Sequence, residues 1–170
     1  MPDTSPSATA IPSSEFWQAL SCRAVGAAVV TTTDDGAPAG FFALSVTHLT
    51  HNPPTVMFSV SGSTSALAGL RSSGHLAINY LDRSQERIAE IFSGKHGLSG
   101  ADRFEAGLWD SLTSGAPALK GAVGTIDCRV EELIEREGTF IVLAQVLQYR
   151  TRVDSVPLVH FSGRFMPLVL

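Results

Sequence analysis

Residues 25–46 constrain this chain more than any other segment. Residues 25–33 are rich in Val and Thr, Asp34-Asp35-Gly36 follow, and 38–46 form a second apolar run. β-branched and apolar runs on either side of an Asp-Gly pair specify an antiparallel hairpin, because Gly36 can enter the positive-φ region that a two-residue turn needs. Other strand signals agree with this start: 55–61, 75–81 and 157–161, and the alternation of Ile126, Cys128 and Val130 with Asp127, Arg129 and Glu131. Residues 140–147 are nearly all apolar, which reads as a strand covered on both faces.

Helices are few and short. Ser14 reads as the cap of a helix that carries Phe16, Trp17 and Leu20 and ends near Cys22. Ser63 or Thr64 reads as the cap of a second, running through Arg71. Ser84 reads as the cap of a third ending at Phe92, with Ile88, Ile91 and Phe92 inward. Residues 48–54 read as a loop, since Asn52-Pro53-Pro54 cannot continue a ladder. No strand-helix-strand series repeats, which disfavours a doubly wound sheet. Six or seven strands with short helices between them fit a small antiparallel barrel that forms one domain, residues 15–170, behind a solvated tail, 1–14.

Charge is scarce on this scaffold. Charged residues make up 16% of the chain, against about 25% in an ordinary soluble domain. Part of the apolar surface should therefore be covered by a second subunit or a ligand. The net charge of −4 and the absence of a Lys/Arg cluster argue against a nucleic-acid or anionic-membrane surface. No apolar run approaches the roughly 18 residues of a membrane span, and residues 1–14 lack the basic start and apolar stretch of a secretory signal. Cys22 and Cys128, far apart and both read as buried, fit the reducing cytoplasm.

Nucleophile and metal signatures are missing. There is no G-x-S-x-G, no P-loop and no G-x-G-x-x-G, and His48 and His51 stand in their loop without a Cys or a carboxylate cluster, so no metal is expected. Residues 59–65, Ser-Val-Ser-Gly-Ser-Thr-Ser, leave a strand and enter a helix. Their hydroxyls and N–H groups suit a phosphate, or equally a solvated cap. Residues 40–47, GFFALSVT, set bulky apolar side chains beside Ser45 and Thr47, which suits a flat ring or a core strand. Arg103-Phe104 is open in the same way.

The order of these pieces resembles the short-chain flavin reductase family of the FMN-binding split barrel. The matching run is Val25-Gly26-Ala27-Ala28-Val29-Val30-Thr31-Thr32, Asp35-Gly36 with Gly40, Ser45, Asn52-Pro53-Pro54, Ser63-Thr64, Ala77-Ile78-Asn79-Tyr80-Leu81, Asp102-Arg103-Phe104, Pro117-Ala118-Leu119, Cys128-Arg129-Val130, and Pro157-Leu158 with Gly163-Arg164-Phe165. The resemblance implies a mainly β, six-stranded antiparallel split barrel with Greek-key-like order, assembled as a homodimer. It also implies NAD(P)H-dependent reduction of FMN or FAD by hydride transfer to N5, with reduced flavin supplied to a partner monooxygenase.

The flavin would contact Phe42, Ala43, Leu44, Ser45, Thr47, Ser61, Ser63, Thr64, Arg103 and Phe104. NADH or NADPH would meet Thr139, His160 and Arg164. Two departures from the family pattern stand out. Gly40-Phe41-Phe42-Ala43-Leu44-Ser45 replaces a more polar Gly-x-Thr-Ala-Ser-Ser, and Gly138-Thr139 replaces an Asp-His pair, which makes His160 the candidate catalytic substitute. The same barrel also accommodates a flavoprotein that keeps its FMN and reduces a corrinoid, ferric complex or quinone, or a non-catalytic flavin- or haem-binding module.

Overall fold

The computed structural model describes residues 10–168; residues 1–9 of the expected tail lie outside them. Helix α1 (Ser13–Leu20) is followed by β1 (Val25–Gly26), β2 (Ala28–Asp34), β3 (Ala37–Ala43), β4 (Thr47–His51), β5 (Pro54–Ser61), α2 (Ala66–Ser72), β6 (His75–Tyr80) and α3 (Glu86–Phe92). Then come β7 (Trp109–Ser111), β8 (Pro117–Leu119), β9 (Gly124–Arg136), β10 (Thr139–Thr151), β11 (Leu158–Phe161) and β12 (Arg164–Pro167).

The β2–β3 hairpin closes through Asp35 and Gly36 at φ 48° and 79°, the paired positive φ of a tight hairpin turn. Glu137-Gly138 closes β9–β10 and Ser162-Gly163 closes β11–β12 in the same way. The main sheet runs β3-β2-β6-β9-β10-β5-β4, a second runs β1-β11-β12, and β7 pairs with β8. All these pairings are antiparallel.

The main sheet curls until its far strands meet. Phe41 of β3 lies 6.1 Å from Phe58 of β5, ring to ring, in a core shared with Val30, Leu70, Ile78 and Val142. β3 and β5 share no ladder. Ser45 bridges the gap instead, its Oγ accepting the Ser59 N–H at 3.0 Å and lying 3.1 Å from Ser59 Oγ. This is the split in the barrel. A second core lies on the outer face of β2, where Ala27 and Val29 meet Ile88, Ile91 and Phe92 of α3, with Phe42, Phe104 and Phe165 at its edge.

The barrel agrees with the expected class, but its strands outnumber the six expected. Of residues 48–54 only Asn52-Pro53 form a turn: Thr47–His51 forms β4 at the sheet edge, and Pro54 opens β5, where a missing donor costs little. Ser14 is not a cap, because α1 starts at Ser13, directly behind Pro12. Neither Ser63 nor Thr64 caps α2; Ser65 holds that position, without a side-chain bond.

Ser84 does not cap the third helix: α3 starts behind Gln85, and Asp82 caps the single 3-10 turn, Arg83–Gln85, that leads into it. Asp82 Oδ1 accepts the Ser84 N–H at 3.0 Å, while Gln85 Oε1 accepts the Asp82 N–H at 3.0 Å, a reciprocal capping box. Asp127 is fully buried instead of facing water, accepting both the N–H and the hydroxyl of Ser114. Cys22 is exposed, since α1 buries none of its residues. Cys128 is buried, and burial, then Asp127 beside it, pushes its thiol up to about 12. β10 buries Phe140, Val142 and Ala144, but Ile141 and Leu143 stay half-buried, so only one face of the strand is fully covered among the described residues.

Candidate functional site

Three elements meet around a cavity of about 370 Å³, lined by Trp17, Leu20, Ser21, Arg23, Val25, Leu44, His160, Ser162 and Gly163. Leu44 arrives directly from the end of β3. His160 arrives on β11, opposite Val25 of β1 and Phe165 of β12. Its imidazole stands edge-on to Phe42 at 6.5 Å and to Phe165 at 5.6 Å, and Phe42 meets Phe165 at 5.6 Å. The three rings brace one another, so the imidazole is held by packing.

Desolvation, and then the positive charge of Lys95, hold His160 below the ordinary imidazole range. Lys95 lies 5.3 Å over the Phe165 ring and pairs with Glu90 at 3.3 Å. Both effects favour the neutral imidazole, which donates from one ring nitrogen and accepts at the other.

A strip of hydroxyls runs along the split from Leu44's neighbour. Ser45 bonds Ser59, and two residues on, where side chains return to the same face of a strand, Ser61 Oγ lies 2.9 Å from Ser63 Oγ. The Ser63 N–H points at Ser61 Oγ at 3.3 Å. Gly62 holds this loop in place: its N–H donates to Gly138 O at 2.8 Å, and a Cβ there would fall 2.8 Å from the same oxygen. Only glycine lets the loop come this close to the β9–β10 turn.

The structure thus brings Ser45, Ser61, Ser63 and Thr64, whose N–H donates to Ser61 O at 3.0 Å, into one strip, and Leu44, next to Ser45, reaches the cavity that His160 lines. Thr139 faces Ser61 across the β5–β10 ladder, so it joins the hydroxyl strip. Arg164 is exposed just past the turn that forms the cavity rim.

The remaining candidates do not line the cavity. Phe104 packs between Phe92 and Trp109 at 5.1 and 4.8 Å. Arg103 donates to the carbonyls of Leu98 and Gly40, tying its turn to β3. Ala43 is buried in the inner core, and Thr47 is exposed on β4 opposite Met57. Phe42 supports His160 from the outer core. Trp17, Leu20, Ser21, Arg23, Val25 and Ser162 were not among the sequence candidates. Trp17 and Leu20 carried a signal, but helical spacing reads first as a buried stripe.

A flavin fits these residues by their chemistry. The hydroxyls and N–H groups of 61–64 suit a phosphate, and Leu44, at the end of β3 beside Ser45, suits the border of a planar ring. Among the described residues no group of three or more His, Cys, Asp and Glu side chains is placed to hold a metal.

Comparison with known proteins agrees with this chemistry. The Flavin reductase like domain model matches residues 20–168. An FMN reductase (NADH) RutF 2 from Rhizobium rhizogenes is 30% identical over 151 residues, 89% of this chain and 86% of that protein. Among solved structures, nitrilotriacetate monooxygenase component B from Mycobacterium thermoresistibile superposes with a TM-score of 0.83 at 25% identity, over 92% of this chain and 86% of that one. The NADH:FAD oxidoreductase SgcE6 of Streptomyces globisporus, in complex with NAD and FAD fragments, superposes with a TM-score of 0.82 at 25% identity, over 95% and 98%. By the extent of the family match and the identity to its curated relatives, the chain belongs to the flavin reductase like family.

Proposed function

We propose that the protein is an NAD(P)H-dependent flavin reductase that takes FMN or FAD as its flavin and acts as a homodimer. The observation that carries the reading is the cavity lined together by a packed His160 and by Leu44, the residue that precedes Ser45 of the hydroxyl strip. The relatives named for NADH and FMN support the same donor and acceptor.

The chemistry that a bound flavin supplies is acceptance of a hydride at N5 from a reduced nicotinamide. The chain's own residues do the rest. Ser61, Ser63 and Thr64 hold the flavin phosphate, and Leu44 with Ser45 borders the ring. His160 gives the nicotinamide one hydrogen-bonding group without adding positive charge beside an oxidised ring that is itself cationic. No general acid or nucleophile is needed, which accounts for their absence from the sequence. An exposed phosphate site made only of hydroxyls favours a flavin that leaves, and a flavin-dependent monooxygenase is the proposed recipient. The likeness to a monooxygenase component B supports that role. No helix among the described residues is long and apolar enough to cross a membrane.

Purified protein should consume NADH only when FMN or FAD is added; failure with both flavins would refute the reading. Replacing both Ser63 and Thr64 by Ala should weaken FMN binding about tenfold while leaving the fold intact, and unchanged affinity would remove the phosphate site. His160→Ala should lower kcat/KM for NADH about tenfold and leave the FMN Kd within about twofold.

A further inference from the structure

The cavity carries chemistry that hydride transfer alone does not require. Its interior is aliphatic, with Leu20, Val25 and Leu44 around His160, and Trp17 and Arg23 complete the lining. The fold explains neither of these last two. Trp17 is 69% exposed on a helix that buries none of its residues. Arg23 is exposed, joins no ion pair among the described residues, and is the one arginine in the cavity lining. No carboxylate lines the cavity.

An apolar pocket for a planar ring with an unneutralised guanidinium beside it describes a site for a ring that carries a phosphate. The guanidinium fork grips two phosphate oxygens at once. The volume of about 370 Å³ lies near the lower end of small-molecule sites, roughly 300–1,000 Å³. It has room for a mononucleotide, and a whole dinucleotide would extend beyond it.

We propose that Arg23, in the cavity that Trp17 also lines, is the phosphate-binding residue for the hydride donor: the cavity admits the nicotinamide mononucleotide half, Arg23 binds the phosphate that follows the nicotinamide ribose, and the adenosine half stays outside. This rests on the flavin reductase reading for the identity of the donor. Its consequence is that the 2′-phosphate distinguishing NADPH from NADH lies on the excluded half, so the two donors serve alike. Reduced nicotinamide mononucleotide, which lacks that half altogether, serves as well. The flavin carries a phosphate of its own, assigned to Ser61, Ser63 and Thr64, so the two sources of phosphate are separable.

Two measurements test this. One titrates the flavin-free protein with NADH and follows quenching of tryptophan emission. The other determines KM for NADH, NADPH and reduced nicotinamide mononucleotide at saturating FMN. The three KM values should agree within about fivefold. Arg23→Ala should raise all three, and the Kd of the flavin-free titration, by about tenfold, with kcat and the KM for FMN nearly unchanged. Arg23→Lys should recover part of the loss, and Trp17→Phe should remove most of the quench.

Unchanged donor KM and Kd in Arg23→Ala would overturn the proposal. So would a rise confined to FMN and absent with riboflavin, which would assign Arg23 to the flavin's phosphate, or a mononucleotide KM about a hundredfold above that of NADH. Arg23-dependent binding of NADH by a wild type that oxidises it with no flavin would refute the flavin reductase reading and leave the Arg23 site standing.

Discussion

Asn79 uses every hydrogen-bonding position of its amide inside the protein. Nδ2 donates to Val29 O and to Thr31 Oγ1, both at 3.1 Å, while Oδ1 accepts the Leu119 N–H at 2.8 Å and the Thr125 hydroxyl at 3.2 Å. The residue is fully buried, so one side chain joins β2, β6, β8 and β9 where water cannot substitute. Asn79→Leu preserves the volume and strands several buried donors and acceptors. Each stranded group costs about 1–3 kcal/mol, and the sum is about 3 kcal/mol or more. At roughly 2–4 °C per kcal/mol for a domain of this size, Tm should fall by roughly 6–12 °C in a thermal scan, and a fall under about 2 °C would contradict the network. In the sequence Asn79 was visible only as one letter of a strand motif. Its partners lie 40 to 50 positions away, and pairing at that distance is decided by sheet order, which periodicity does not encode. The hydroxyls of 61–64 were legible because they are adjacent, whereas Arg23 and Trp17 were not, because the cavity they line is assembled from three separate segments, 17–25, 44 and 160–163.

Close approach between elements is where glycine matters most in the β2–β3 hairpin. A Cβ on Gly40 would fall 2.8 Å from Val30 O and 2.9 Å from Phe92 Cε1, so β3 lies against α3 only because that side chain is absent. Gly40→Ala should cost about 1–3 kcal/mol through overpacking and loosen the Arg103 bond to Gly40 O. Gly26→Ala, with nothing within 4 Å of its Cβ, should change stability by less than about 0.5 kcal/mol. Urea denaturation of the two variants distinguishes a steric cause from a general intolerance of alanine. At this scale the sequence was most readable where turn chemistry is local. The Asp35-Gly36 hairpin formed as its residues predict, and the Asp82-x-x-Gln85 box was present as a signature although Ser84 drew attention first. β4 escaped because the prolines after it mark the turn and not the residues before it. Its THLTH pattern carries no apolar alternation, since one strand edge is left unpaired. The side chain that spans the split, Ser45, was read as a flavin contact, and nothing local showed that it also closes the barrel.

The shortage of charge becomes a statement about assembly once the surface is known. Leu49 on β4, Ile134 on β9, and Leu147 and Tyr149 on β10 are 40–69% exposed, on strands that make up the β9-β10-β5-β4 half of the main sheet. Leu143 and Ile141 add a half-buried apolar row between them. A lone protomer would leave this surface wet, and contiguous apolar patches of more than a few hundred Å² are rare on monomers. A mate seated there would need to bury at least about 1,000 Å² in total, for which two long strands are sufficient. Light scattering after size exclusion should therefore give about twice the 18.0 kDa of one chain. Joint replacement of Leu147 and Tyr149 by Glu should shift the protein toward the monomer with little loss of protomer fold, because both side chains are already in water in the protomer. The functional arm is sharper. If the flavin lies at the seam between subunits, the same double variant should lose FMN-dependent NADH oxidation in parallel with the dimer, and activity should recover as protein concentration is raised. A variant that is monomeric and fully active would separate the site from the interface, and a wild type of single-chain mass would leave the apolar half of the sheet without its proposed cover.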